Sequence, residues 1–106
     1  MRIDFTVLDG NLGDGFADNY AAANAFAQFT AEKLHTEFPS ATICSDVRRN
    51  TTGAGHDLTV TMTDEEMTDQ DGEYDSSLER HATEIADAIL ERAWEQFCSS
   101  PEALSL

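Results

Sequence analysis

The chain has 106 residues, and its 21 Asp+Glu against 6 Lys+Arg give a formal net charge of −15. That length fits one domain able to bury a core without metal or disulfide support, and the 41% apolar fraction exceeds what a disordered chain shows. The charge balance excludes direct nucleic-acid binding, which needs a basic face, and opposes docking on an anionic membrane.

Residues 2–8 alternate, with Ile3, Phe5 and Val7 on one face and Arg2, Asp4 and Thr6 on the other. That is the pattern of a half-buried strand. Asp9 to Gly15 (DGNLGDG) is rich in glycine and ends it. A helix is predicted from about Ala17 to Phe38, free of Gly and Pro until Pro39 stops it. Tyr20, Ala23, Ala27, Thr30, Ala31, Leu34 and Phe38 share one face at helical spacing. Phe26 and Phe29 fall off that stripe and need a cover, either a loop or the C-terminal tail of this chain, or the partner subunit of a homodimer or another partner protein.

Residues 41–48 and 56–63 alternate again, with Ile43 and Val47, then Leu58, Val60 and Met62, on the apolar side. The polar connection RRNTTGAG between them predicts a hairpin. Residues 64–75 (DEEMTDQDGEYD) carry seven acids and no base: Asp64, Glu65, Glu66, Asp69, Asp71, Glu73 and Asp75. They read as a long, mobile loop. Ser76 with Glu79 fits a capping box that opens a second helix running to about Cys98. Its apolar face is Leu78, Ala82, Ile85, Ala86, Ile89, Ala93 and Phe97.

The order is therefore β-α-β-β-α, an α+β domain over residues 1–98 with a frayed tail at 99–106. The first two strands need the helix as a crossover and so run parallel. The compact arrangement is a ferredoxin-like plait lacking its last strand, with both helices on one face and the third strand between the other two. An order with the second strand in the centre is the alternative.

No catalytic constellation emerges. Gly10, Gly13 and Gly15 are spaced G-x-x-G-x-G, which is not the dinucleotide fingerprint, and Asp9 and Asp14 would repel a phosphate. Asp69, Asp71 and Glu73 alternate as in an EF-hand. However, Tyr74 stands where glycine is needed, and Arg80 stands where the bidentate glutamate belongs. His35, His56 and His81 lack ligand spacing; His35 and His56 are expected to be exposed, and His81 to be a hydrogen-bonded border residue. Cys44 and Cys98 form no C-x-x-C pair. The reading is a non-enzymatic chain with no cofactor and no metal. Two cysteines without a signal peptide fit a reduced, cytoplasmic protein.

What stands out is carboxylate placement. Glu84, Asp87, Glu91 and Glu95 form one acidic stripe on the second helix, relieved near its start by Arg80, which can pair with Glu84. At ~1.5 Å per residue the stripe is roughly 16 Å long, whereas a duplex carries about nine charges over that length. Four carboxylates fall short of that density. Joined with the seven of the adjacent loop they approach it, and arginines that grip phosphates also grip carboxylates bidentately. Trp94, between Glu91 and Glu95, is either an anchor within this surface or a cover for the chain's own core.

In its size, its β-α-β-β-α order and its acidic loop and helix (DEEMTDQDGEYD, then ERHATEIADAILERAWEQF), the chain resembles phage-encoded acidic DNA-mimic inhibitors of the anti-CRISPR and anti-restriction class. The likeness spans most of the chain in pattern and charge, without a shared motif. It implies a non-enzymatic inhibitor in the cytoplasm of a bacterial host cell, acting on a nucleic-acid-binding complex such as a CRISPR effector or a restriction enzyme. The rival readings are a small acidic structural or regulatory interaction protein, dimeric through Phe26 and Phe29, and a halophilic domain whose repulsion is screened within about 3 Å at 1 M salt.

Overall fold

In a computed structural model, residues 1–12, 15–49 and 57–100 are described. The elements are β1 (Arg2–Leu8), a 3-10 turn (Asp9–Leu12), α1 (Asn19–Glu37), β2 (Thr42–Arg48), β3 (Asp57–Thr61) and α2 (Ser77–Cys98). This is the β-α-β-β-α order and α+β class read from the sequence. Gly13, Asp14, the connection at 50–56 with His56, and the tail from 101 to 106 lie outside the described residues.

The three strands form one mixed sheet in the order β2-β1-β3. β1 runs parallel to β2, with Phe5 opposite Ser45, and antiparallel to β3, with Phe5 opposite Leu58. β2 and β3 therefore do not pair, and neither is central: the expected hairpin is replaced by a sheet with β1 in the middle. The inward rows explain the choice. β1 offers Ile3, Phe5 and Val7, exposed by 0%, 2% and 0% respectively. β2 interrupts its row with Ser45, which remains exposed. The strand with the unbroken apolar row takes the place covered from both sides, and the strand with a serine takes an edge, where the serine stays wet.

Both helices cover the same face of this sheet and pack on each other. Asp18 caps α1: its carboxylate accepts the Tyr20 and Ala21 N–H groups at 3.0 and 3.1 Å. The helix accordingly starts at Asn19, two residues later than expected. It closes where the Phe38 N–H donates to the Leu34 carbonyl at 2.8 Å, directly before Pro39.

The buried side of α1 comprises Ala22, Ala23, Phe26, Ala27, Thr30 and Leu34. Phe26 and Phe29 are not an open dimer patch. Phe26 is fully buried, meeting Trp94 edge-on at 5.2 Å and Phe97 at 5.6 Å. Phe29 is half-buried, 6.2 Å from Phe97, with Lys33 over its ring at 5.2 Å. The cover is α2 of the same chain, since a helix packed on the sheet and on a second helix needs two apolar sides. The deepest positions of α2 are Ala82, Ala86, Leu90, Ala93 and Phe97. Leu78, Ile85 and Ile89, expected within that face, are half-buried at its border.

Candidate partner-binding surface

The 64–75 segment is more structured than a plain loop. Thr63 and Glu66 form a reciprocal box, Glu66 Oε1 accepting the Thr63 N–H at 3.1 Å and Thr63 Oγ1 accepting the Glu66 N–H at 3.2 Å. Met67 follows, is buried, and receives the Asp75 N–H on its carbonyl. Asp69 Oδ1 then accepts the N–H groups of Asp71 and Glu73, both at 2.9 Å, and Gly72 turns the chain at φ +80°. An isolated bridge between Thr68 and Tyr74 closes the excursion.

Three of the seven acids are thereby used inside the fold. Glu66 also takes the Met1 amino group at 2.6 Å, and that bond, ahead of the one from Thr63, pulls its carboxyl below the usual range. Asp69 holds the turn. Asp75 is held low first by the Ser77 hydroxyl, then by the Ser77 N–H, with Arg80 adding a favourable charge. The side chains of Asp64, Glu65, Asp71 and Glu73 are exposed and make no hydrogen bond or ion pair among the described residues.

Asp75, not Ser76, caps α2. The Ser76 side chain makes no capping bond, while Asp75 Oδ1 accepts the Ser77 N–H at 3.0 Å. Glu79, expected to complete the box, instead accepts the Met62 N–H at 3.1 Å and ties the helix to the chain leaving β3. A carboxylate at the first turn also faces the positive end of the helix dipole.

Along α2, Glu84, Asp87, Glu91 and Glu95 are all exposed. At ~100° per residue they fall within an arc of roughly 80°. None has a cation within ion-pair distance among the described residues; the expected Arg80–Glu84 pair does not form, and Arg80 acts on Asp75 instead. Asp87 stands apart chemically: burial, and then the Glu91 charge, push its carboxyl above the usual aspartate value. It lines a cleft of about 270 Å³ with Leu90, Glu91 and Trp94. Trp94 is half-buried and packs on Phe26 and, at 6.4 Å, on Phe16. It covers the core while bordering this cleft. His81 is exposed beside Arg80, without the expected hydrogen bond among the described residues.

The uncovered face of the sheet contrasts with α2. Arg2 Nε lies 3.0 Å from the Asp4 carboxylate and Arg48 Nε 3.3 Å from Asp46, each pair within one strand. Thr6, Thr59 and Thr61 fill much of the rest, and Asp57, opposite Thr6, is the one carboxylate of this face without an ion-pair partner among the described residues. Cys44 lies on this face opposite Asp4, and Cys98 at the end of α2; both are free thiols.

One residue escaped sequence reasoning. Tyr74, 59% exposed, is a large aromatic set among the acids of the 64–75 segment, its hydroxyl directed to Met67 Sδ at 3.8 Å. The signal available was a single ring in an otherwise polar stretch.

Among the described residues, no group of His, Cys, Asp or Glu is arranged to hold a metal ion, and no helix is long and apolar enough to cross a membrane. Comparison with protein-family models, curated proteins and solved structures found no match.

Proposed function

We propose that this chain is a non-enzymatic inhibitor that occupies the nucleic-acid-binding groove of a protein complex, such as a CRISPR effector or a restriction enzyme, inside a bacterial cell. The observation that carries the reading is the partition of charge. Arginines on the open sheet face are engaged by aspartates of their own strands. The four carboxylates of the α2 stripe and four of the 64–75 segment have no such partner among the described residues. Carboxylates left hydrated and unpaired are the ones a cationic groove can take over, with arginine bridging them as it bridges phosphate. Tyr74 and Trp94 supply aromatic area beside them, the residue types that most often anchor interfaces.

Inhibition by this route is competitive and salt-sensitive. The test is capture of the target from bacterial lysate at low and high salt, followed by displacement of the captured complex with duplex DNA. Binding at low salt that DNA competes away supports the reading; binding indifferent to both removes it. Asp87→Lys with Glu91→Lys reverses two exposed charges off the core, so the fold survives while affinity falls by roughly tenfold or more. Unchanged affinity in that variant would move the interface elsewhere. A fold retained at low salt also separates this reading from halophilic adaptation.

A further inference from the structure

The few cations of this acidic chain are not equivalent. Arg2 and Arg48 are paired with Asp4 and Asp46. The Arg49 guanidinium lies 4.1 Å over the Tyr20 ring, and Arg80 acts on Asp75. Lys33, whose ammonium lies 5.2 Å over the Phe29 ring, and Arg92 have no carboxylate within ion-pair distance among the described residues. They are far apart in sequence and on different helices, yet both line one cleft of about 220 Å³ between α1 and α2. Gln96 adds a neutral donor and acceptor, Ile89 an apolar wall, and Glu37 a single negative charge.

We infer that this cleft binds a small oxyanion carrying a compact apolar body, such as an aromatic or branched carboxylate. The reasons are local. Two cations against one acid give the cleft a net positive balance within a molecule of −15. At ~0.15 M salt the Debye length is about 8 Å, so only nearby charges act on a bound ligand; Glu95, one helical turn from Arg92, is among them and lowers the net attraction. Lys33 and Arg92 approach the ligand from opposite helices, which suits the two oxygens of a carboxylate. Ile89 and the aliphatic stems of both cations cover the apolar part. The volume lies below the ~300 Å³ at which drug-sized sites begin, so the ligand has on the order of ten heavy atoms or fewer. The site is separate from the acidic surface and holds whether or not that surface binds a groove.

Benzoate is the probe, with inorganic phosphate as a control for charge alone. Titrations of the whole chain are followed by amide correlation spectra at constant chloride. Benzoate is expected to shift the main-chain signals of Ile89 and Arg92 and the side-chain amide of Gln96, saturating with a Kd of about 1 mM or tighter. Phosphate should bind more weakly. Lys33→Gln and Arg92→Gln each weaken binding roughly fivefold, whereas Glu37→Gln, which removes the opposing charge, strengthens it roughly twofold. All three side chains are exposed, so the variants keep the wild-type thermal transition. Shifts that never saturate, phosphate binding as tight as benzoate, or wild-type affinity in either cation variant would overturn the assignment.

Discussion

Thr30 offers a sharp test of the core. It sits in the middle of α1 with no exposed surface, and its hydroxyl has no hydrogen-bond partner among the described residues. A buried hydroxyl without a partner costs about 1–3 kcal/mol in lost hydration. Thr30→Val exchanges that hydroxyl for a methyl of nearly the same size, keeps the β-branched rotamer, and leaves helix propensity almost unchanged. The variant should therefore be more stable by about 1–2 kcal/mol, which for a domain of this size raises Tm by roughly 5–10 °C. Thr30→Ser keeps the stranded hydroxyl and loses the methyl, and should fall below wild type by about 1 kcal/mol. Calorimetry or far-UV circular dichroism on the three proteins gives the order Val, Thr, Ser. A valine variant less stable than wild type would refute the reasoning, because it would mean that the hydroxyl has a partner in solution.

Phe26→Ala empties a fully buried site against Trp94 and should cost about 3–5 kcal/mol, read by urea melts and by a changed emission of the single tryptophan; a variant that merely altered association would return Phe26 to the surface. Gly72 has φ +80° and open space where a Cβ would stand, so Gly72→Ala carries a conformational cost alone, about 1 kcal/mol on the same melts. For Asp87, burial raises the folded-state pKa above that of the unfolded chain. Its charged form is thus a liability above that raised value, relieved as pH falls through it and gone below the unfolded value. Asp87→Asn should accordingly be more stable than wild type at neutral pH, with the difference shrinking as pH falls into the ordinary aspartate range; a constant difference across that range would contradict it.

The strands and helices were legible because alternation and helical spacing report which side of each element is apolar. Ile3, Phe5 and Val7 on β1 and the acidic side of α2 could be marked on that basis alone. Strand order was not legible in the same way. The polar connection after Arg48 suggested a hairpin, and only a comparison of whole inward rows, with Ser45 breaking that of β2, favours β1 as the centre. The spacing of α1 alone leaves Phe26 and Phe29 without a cover, because that cover lies on α2, more than sixty residues downstream. At the start of α2 two neighbouring residues were both able to cap, and Asp75, with a charged acceptor, took the role expected of Ser76. The acidic segment was read by composition, which is blind to the work of Asp69 and Glu66 as acceptors for its own backbone. Its four outward carboxylates and those of α2 were legible as a set, since charge periodicity on a helix survives whatever the sheet order turns out to be.

Among the described residues the sheet has three strands, with β2 and β3 on its margins, where the outward peptide groups of each offer a row that a second molecule can continue. At neutral pH the long-range repulsion between copies keeps those margins apart. Acidification far enough to protonate the carboxylates removes that barrier while the peptide groups stay the same. Acidification should therefore lead to strand-by-strand aggregation before the individual core comes apart, with light scattering rising ahead of any loss of the far-UV circular dichroism signal.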